Sequence, residues 1–421
     1  MREAVLGIDV GTSGLRILAV GRSNQVLASA AAAMPTPIVD GARKRQDAQI
    51  WLNALHEAFA ALDLKGLHIL ALSINGTSGT ILPVDVDGTP LDHASMYDDV
   101  AEEKYVAAIA AQAPQETAAR GSTSPLARAI PMQAKAKRIL HQADWLAAQF
   151  SGDFTVTDEN NALKSGYDPL QRQWPAWMAD SGFDERLFPH VVAAGALTGK
   201  ITPKAARQFG LPADVRIVAG TTDGCAAFLA SGAREVGDGV TSLGTTLTLK
   251  LLSAKPVFAP AYGIYSHRMG GMWLAGGASN TGGGVLRALF SPEEIAAFSE
   301  RLKPDEPTGL DYYPLTQPGE RFPVNDPRLA PRLLPRPVSG ELFFQGVLES
   351  IAAIEALGYA RLAELGASRL ACIRSLGGGA ANLGWTQIRL AQLGVPQADV
   401  LSDQAALGTA RLAWWGLGHA A

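Results

Sequence analysis

The stretch GIDVGTSGLRILAV at residues 7–20 has an apolar run, a turn of small residues and a second apolar run. Short apolar runs that are bounded by glycine are typical of buried strands, so this stretch predicts a strand–turn–strand unit. TSLGTTLTLKLL at residues 241–252 has the same order, with a Gly-Thr turn between two apolar runs. Because the two copies lie about half the chain apart, they predict two like domains that arose by duplication.

A second pair of stretches has one apolar run followed by a Gly-Thr turn. These are SINGTSGT at residues 73–80 and VAGTTDGC at residues 218–225, and we expect one of them in each half. Helical patterns lie between the strand-like runs, for example at residues 48–62 and 345–365, where apolar positions recur at three and four. Strands that alternate with helices predict an α/β fold class.

The length of 421 residues exceeds what one hydrophobic core usually supports, so we expect two domains. We place their boundary near Val215, after a stretch that runs from Pro203 to Pro212, which gives domains 1–215 and 216–421. The proline-rich segment 304–337 predicts a long surface excursion rather than a third domain.

Composition excludes several classes of partner. The formal net charge is −4 and no long basic run occurs, so electrostatic capture of nucleic acid or of an anionic membrane is not expected. Cys225 and Cys372 lie far apart without a CxxC pattern, which disfavours a zinc site and a disulfide framework. The N-terminus runs into a strand rather than a signal peptide, and no apolar stretch reaches the roughly 18 to 20 residues that a membrane helix requires. We therefore expect a cytoplasmic protein.

The Gly-Thr turns between strands are candidate phosphate clamps. Glycine lets the backbone approach an anion and supplies N–H donors, and the threonine hydroxyl adds another donor. The first clamp comprises Gly11, Thr12 and Ser13, and the second comprises Gly244 and Thr245. Only the first has an acid two residues before its glycine, Asp9, which could hold Mg²⁺ through water. The alternative for each turn is an ordinary tight β-turn.

Asp223 ends an apolar run and stands among small residues, in Gly-Thr-Thr-Asp-Gly-Cys. Phosphorylation of a hydroxyl requires a carboxylate that accepts the proton as the bond to phosphorus forms, and small neighbours leave room for a substrate. The alternative is an N-cap, because a helical pattern follows Asp223 directly.

A third glycine-rich turn, LGGGAAN at residues 376–382, opens a helix near the C-terminus. Three consecutive glycines are entropically costly unless something passes close to the backbone, such as an adenine ring or a phosphate at a helix start. Gly377, Gly378 and Asn382 are therefore candidate nucleotide contacts, and a plain glycine-rich connection is the alternative. The turn matches neither GxGxxG nor GxxxxGK[ST], which disfavours Rossmann and P-loop folds.

With these residues assembled, the sequence resembles the FGGY family of carbohydrate kinases, within the actin/Hsp70/sugar-kinase superfamily. The matching segments span nearly the whole chain and occur in order. They are GIDVGTSGLR, INGTSGT, QADWLAAQFSGDFTVTDENNALKSGYDP, VAGTTDGCAAFLASGA, TSLGTTLTLK, GGASNTGGG, SLGGGAANLGW and ALGTARLA. TDENNALKSGYD, SLGTTLTLKLLS and GLDYYPL look closest to the short D-ribulose kinase and xylulose-kinase-like branch of cyanobacteria and plants.

The resemblance implies two actin-like ATPase (ribonuclease H-like) domains with an active-site cleft between them. It implies Asp223 as the general base, and Asp9 near Mg²⁺, the transferring phosphoryl group and the sugar. Ser78 would contact the sugar hydroxyls. The implied nucleotide contacts are Gly11, Thr12, Ser13, Gly244, Thr245, Gly377, Gly378 and Asn382.

The sequence departs from the family pattern at three points. Many larger members have a Trp-x-Asp-x-Arg-like stretch that grips the sugar, whereas residues 96–100 read MYDDV without an arginine. Asn75 stands where the short branch often has aspartate, so one charge near the expected sugar site is missing. The chain is also shorter than typical members. These departures leave the acceptor open.

The resulting hypothesis is an enzyme, a kinase that transfers a phosphoryl group from MgATP to a ketopentose, with D-ribulose as the first choice. D-Xylulose, glycerol or another polyol is the alternative acceptor. An actin- or Hsp70-like ATPase switch that acts on a protein partner is the alternative of another class. We expect ATP and a small sugar as the partners of a monomer or homodimer, and no membrane or nucleic acid.

Overall fold

The structure is a computed structural model that describes residues 1–419. Strands and helices alternate along these residues. The strands are β1 (Arg2–Val10), β2 (Gly14–Val20), β3 (Val26–Ala33), β4 (Ile38–Asp40), β5 (Arg43–Gln46), β6 (Leu67–Gly76), β7 (Ile81–Val84), β8 (Ala94–Ser95), β9 (Arg138–His141), β10 (Val156–Asp158), β11 (His190–Val192), β12 (Leu197–Lys200), β13 (Arg216–Thr222), β14 (Asp238–Leu243), β15 (Leu247–Ser253), β16 (His267–Met269), β17 (Met272–Ser279) and β18 (Cys372–Leu376).

The helices of the same residues include one long helix, α11, and several short ones. They are α1 (Ala48–Ala61), α2 (Glu103–Gln112), α3 (Pro125–Met132), α4 (Gln142–Ser151), α5 (Glu159–Leu163), α6 (Trp177–Asp180), α7 (Pro203–Phe209), α8 (Asp223–Ala230), α9 (Gly283–Leu289), α10 (Pro292–Ser299), α11 (Gly340–Glu364), α12 (Leu383–Leu393) and α13 (Ala405–Gly416). Three 3₁₀ turns cover Glu185–Leu187, Pro260–Tyr262 and Gly378–Ala381. The mixture confirms the predicted α/β class.

The chain forms two compact units. Unit 1 comprises Met1–Ala230, His267–Gly270 and the C-terminal segment from Gln404, and unit 2 comprises Ser231–Ser266 and Gly271–Asp403. The division therefore differs from the predicted boundary near Val215. The physical reason is pairing over long range: β13 hydrogen-bonds to β6 in parallel, and α13 packs on β1, β6 and α8. Both elements belong to the core of unit 1.

The main sheet of unit 1 has the strand order β12-β13-β6-β1-β2-β3. β13, β6 and β1 run parallel, while β2 and β3 continue the sheet in antiparallel pairs. The stretches 73–80 and 218–225, which we expected in different halves, thus contribute neighbouring strands to one sheet, and that expectation was wrong. The carboxyl ends of three parallel strands meet at one edge.

In unit 2 the central strands follow the order β17-β15-β14-β18. β14 and β15 form an antiparallel hairpin, and β14 also pairs in parallel with β18. The order β15-β14-β18 matches β2-β1-β6 of unit 1, so the predicted strand–turn–strand repeat is confirmed. The counterpart of β6 is β18, which leads into the glycine-rich turn at Gly377.

Helix α11 has 25 residues and is apolar enough to cross a membrane by length and composition. Its side chains are instead largely buried within unit 2, where Phe343, Phe344 and Val347 join the core. The proline-rich segment 304–337 also differs from expectation, because Tyr312 and Phe322 are buried in unit 2. It is a packed connection and not only a surface excursion.

Candidate active site

Four polar side chains form a row across the sheet of unit 1. Asp9 on β1 lies in register with Arg16 on β2 and with Asn75 on β6, and Asn75 is in register with Thr221 on β13. Residues in register point to the same face of a sheet. The row lies near the carboxyl ends of the three parallel strands, which is where ligands bind in open α/β sheets.

Asp9 has a strongly perturbed environment. Burial raises the pKa of its carboxyl from 3.8 to about 6, and the negative charge of Asp223 adds to this rise. The side chain of Asn75 and the charge of Arg16 act in the opposite direction and lower the pKa. The structure therefore brings together Asp9 and Asp223, two acids that are far apart in the sequence and that we had singled out separately.

Asp223 is the first residue of α8 and follows β13 directly. Thr222, not Asp223, accepts a hydrogen bond from the Cys225 amide through its Oγ1 at 3.4 Å, which is the capping geometry. The Asp223 carboxylate accepts a bond from the Gly224 amide at 2.6 Å and stays partly exposed. The N-cap alternative for Asp223 is therefore wrong, and its carboxylate lies at the positive end of the helix.

The first phosphate-clamp candidate is a tight turn between β1 and β2. The Gly11 backbone amide donates to the Gly14 carbonyl at 3.0 Å, and the Gln46 side chain donates through Nε2 to the Thr12 carbonyl at 3.3 Å. Ser13 is exposed at the tip. The backbone of the turn is thus held by the protein, which leaves a rigid platform beside Asp9.

Ser78 lies in the turn that follows β6. Its Oγ is buried and, within residues 1–419, has no hydrogen-bond partner. Arg128 holds the next residue of this turn, since its Nη2 donates to the Gly79 carbonyl at 2.6 Å. A buried hydroxyl without a partner is costly, so a ligand that bonds to Ser78 would relieve that cost.

The stretch Met96–Val100 has no arginine of its own, but two arginines reach it from elsewhere in unit 1. Arg43 donates through Nε to Asp99 at 3.1 Å, and Arg128 donates through Nη1 to the Met96 carbonyl at 2.8 Å. Burial lowers the pKa of Arg128 to about 10. Reasoning from the local sequence missed both arginines, because they belong to β5 and α3 and lie far along the chain from residues 96–100.

The two glycine-rich turns of unit 2 lie side by side. Leu376 at the end of β18 is in register with Ser242 on β14, so the chain leaves both strands at the same edge. Gly377 has φ +83°, and a Cβ there would lie 2.9 Å from the Leu243 carbonyl carbon. Only glycine permits this contact, which places Gly377 against the Gly244 turn, where Thr245 is exposed.

Asn382 serves as a helix cap. Its Oδ1 accepts from the Trp385 amide at 2.9 Å, and its Nδ2 donates to Ser299 Oγ at 2.8 Å. Gly378, by contrast, is exposed, and a Cβ there would meet no atom within 4 Å. The capping role of Asn382 is structural, and its contact with a nucleotide stays a prediction.

Sequence reasoning missed Arg16 and Thr409. Arg16 could have been found from the hairpin, because its register opposite Asp9 follows from the length of the turn. Thr409 on α13 accepts a bond from Asn75 Nδ2 at 2.6 Å and so fixes the amide next to Asp9. No local signal predicts that contact, since the two residues are separated by most of the chain.

The fold and the site define a class, the two-domain actin-like ATPase fold. The xyloylose kinase of Brucella ovis matches the structure with a TM-score of 0.86 at 20% identity, over 99% of this chain and 91% of that one. The Plasmodium falciparum glycerol kinase with ADP matches with a TM-score of 0.83 at 15% identity, over 99% and 90% of the two chains. At these identities the likeness establishes the fold.

The chain belongs to the FGGY family of carbohydrate kinases. Its N-terminal domain pattern matches residues 126–230, and its C-terminal domain pattern matches residues 239–417. The L-fuculokinase of Salmonella typhi is 25% identical over 99% of this chain and 93% of that protein. The xylulose kinase of Escherichia coli strain K12 is 24% identical over 97% and 89%. This chain is therefore an ATP-dependent sugar phosphotransferase.

Proposed function

We propose that this kinase transfers the γ-phosphoryl group of MgATP to the terminal O5 of a ketopentose, D-ribulose, and forms D-ribulose 5-phosphate. The observation that carries the proposal is the Asp9–Asp223 pair beside a Gly-Thr turn, because a hydroxyl acceptor requires a base and the phosphoryl donor requires a metal. The choice of D-ribulose is supported by the resemblance of TDENNALKSGYD and GLDYYPL to the ribulose-kinase-like branch.

Asp223 is the proposed general base. It is partly exposed at the start of α8, so the hydroxyl of a substrate can approach its carboxylate. The carboxylate accepts the hydroxyl proton as the oxygen attacks the γ-phosphorus, and the leaving group is ADP.

Asp9 is the residue that would hold Mg²⁺ through water. The donor set fits this ion, which usually keeps several waters and binds to one or two carboxylates together with substrate phosphates. When bound, Mg²⁺ supplies positive charge that neutralises the phosphate oxygens during transfer. The charge of Mg²⁺ would also favour the ionised form of Asp9, because the pKa of this carboxyl is raised in the protein without the metal.

The remaining residues position the two substrates. Thr12 and Ser13 would donate to the γ-phosphate from unit 1, with Arg16 as a nearby cation, and Gly244 and Thr245 would do so from unit 2. Gly377 and Gly378 would bound the nucleotide, and Ser78, with its unpartnered hydroxyl, would bind the sugar.

Because residue 75 is asparagine and not aspartate, it adds no third acid to Asp9 and Asp223. An aspartate at this buried position would add a third negative charge beside Asp9 and Asp223, whereas the amide lowers the pKa of Asp9. The amide therefore helps Asp9 to stay ionised, which the proposed metal site requires.

D-Xylulose is the second candidate acceptor, because several of the curated relatives are named xylulose kinase.

The test is a panel of D-ribulose, D-xylulose, L-fuculose and glycerol in a coupled assay of ADP release, with the phosphorylated carbon assigned by ³¹P NMR. We expect the highest kcat/KM for D-ribulose and a product phosphorylated at O5. Inactivity with D-ribulose would overturn the substrate. ATP turnover that no sugar alters, but that a protein partner stimulates, would favour the ATPase-switch alternative.

A further inference from the structure

The segment GGASNTGGG at residues 276–284 has no role in the mechanism above, although it leads into α9 beside the second phosphate-clamp candidate. Its last three glycines pack against that turn. The Gly283 amide donates to the Gly244 carbonyl at 2.8 Å, and the Gly284 amide donates to the Thr245 carbonyl at 2.9 Å. The start of α9 is thus hydrogen-bonded to the backbone of the turn.

Only glycines allow this close approach. A Cβ at Gly282 would lie 2.9 Å from the Leu247 amide nitrogen, and Gly282 has φ +132°. A Cβ at Gly283 would lie 2.7 Å from the Gly244 carbonyl oxygen, and one at Gly284 would lie 3.0 Å from the Thr245 carbonyl oxygen. Side chains at these positions would push α9 away from the turn, so the three glycines determine what α9 can reach.

One turn further along α9, Arg287 reaches back over the turn. Helical side chains point toward the N-terminus of their helix, which is the direction of Thr245. Its Nη2 donates to Thr245 Oγ1 at 2.9 Å, and its Nη1 lies 3.4 Å from the position of a Cβ at Gly283. Arg287 is exposed, and among the ion pairs of residues 1–419 none involves its guanidinium.

We propose that Arg287 is a phosphate-binding residue of the nucleotide half-site in unit 2. The guanidinium bonds to the nucleotide phosphates and also fixes the Thr245 hydroxyl. Because Thr245 Oγ1 accepts from Arg287, its own hydrogen is directed away from the arginine and can be donated to an anion. A guanidinium offers five donors in a planar fork, which suits phosphate oxygens. This inference rests on the proposed nucleotide role of Gly244 and Thr245.

The test compares ADP with adenosine, which lacks the phosphates, by calorimetric titration in buffer without Mg²⁺. Arg287→Met should weaken ADP binding about 10- to 100-fold, as expected for lost charge-assisted hydrogen bonds, and should leave adenosine binding unchanged. Arg287→Lys should recover part of the loss, because it restores the charge without the fork. Arg328→Met, at an exposed arginine of the same unit, is the matched control and should change neither affinity.

Unchanged ADP affinity in Arg287→Met would overturn the inference. An equal loss for ADP and adenosine would also overturn it, because it would show that Arg287 only supports the shape of the turn. Failure of the proposed function gives a different result. If the wild-type protein phosphorylates no ketopentose yet binds ADP, the acceptor is wrong, and the ADP titration still tests Arg287. If the wild-type protein binds no ADP, both proposals fail.

Discussion

The β1–β2 turn of unit 1 and the β14–β15 turn of unit 2 have the same strand–turn–strand backbone but different chemistry. Two residues before the glycine, unit 1 has Asp9 and unit 2 has Ser242. Asp9 is close enough to Asp223 for one charge to raise the pKa of the other. Thr245, which follows Gly244, instead contacts the guanidinium of Arg287. In the proposed function, the first repeat holds a metal beside the proton acceptor and the second binds an anion.

The two copies therefore share a backbone arrangement and differ in the side chains that they present. Both turns join two antiparallel, hydrogen-bonded strands, and both copies have a glycine after the first strand. The residue two positions before the glycine differs between the copies, since it is Asp9 in unit 1 and Ser242 in unit 2. Charge at that position therefore distinguishes the two halves.

The largest expected effect comes from Asp223, since it carries the proton in the proposed reaction. Asp223→Asn keeps the size of the side chain but removes the base, and we expect kcat to fall about 10²- to 10⁴-fold. The measurement is coupled ADP release with sugar at saturation, and Asp214→Asn at an exposed position is the control. Full activity in a folded Asp223→Asn protein would show that the base lies elsewhere.

A second effect concerns the stability of unit 1 rather than catalysis. Because the pKa of Asp9 is about 6 in the folded protein and about 3.8 in the unfolded chain, the folded state binds a proton that the unfolded state releases. The free energy of unfolding therefore falls as the pH rises from about 4 to about 6, by about 3 kcal/mol at most. Asp9→Asn should lack this fall and be more stable than the wild type at pH 7.

The measurement is urea unfolding at a series of pH values between 4 and 8, without nucleotide or metal. Asp40→Asn, at an exposed aspartate of unit 1, should keep the pH dependence of the wild type. If the free energy of unfolding of Asp9→Asn and of the wild type changed with pH in parallel, Asp9 would not have a raised pKa, and this difference between the two turns would be refuted.

Making the second turn resemble the first should weaken nucleotide binding. Ser242→Asp would place a negative charge beside the proposed phosphate site, and we expect about a tenfold rise in the Kd for ADP without Mg²⁺. Ser242→Asn has a similar size and no charge, so it should bind ADP like the wild type. Equal affinities in all three proteins would mean that the phosphates do not lie near the end of β14.

The smallest expected effect is at Asn382, which caps α12. Asn382→Ala should lower the free energy of unfolding of unit 2 by about 1 kcal/mol, because the Trp385 amide loses its acceptor. Asn382→Asp retains a capping oxygen and should be close to the wild type. A fall in ADP affinity with unchanged stability would instead assign Asn382 to the nucleotide.

Local patterns in the sequence were sufficient to predict the elements that form from neighbouring residues. The hairpins at Gly11 and Gly244 and the turn at Gly377 follow from apolar runs bounded by glycine, and all three were found. The boundary near Val215 was misplaced, because β13 looks like the first strand of a new domain until its pairing with β6 is known. Parallel pairing leaves no local signal, since the partner strand can lie anywhere in the chain.

The sequence by itself therefore determined the fold class, the repeat, the glycine turns and the two acids that the proposed chemistry requires. Tertiary structure alone decided that Asp9 and Asp223 share one environment and that Thr409 holds Asn75 beside them. It also decided that Arg287 reaches Thr245. Residue type and spacing encode local conformation. The pKa of Asp9 and the contact between Arg287 and Thr245 depend instead on groups that only folding brings within a few ångströms of each other.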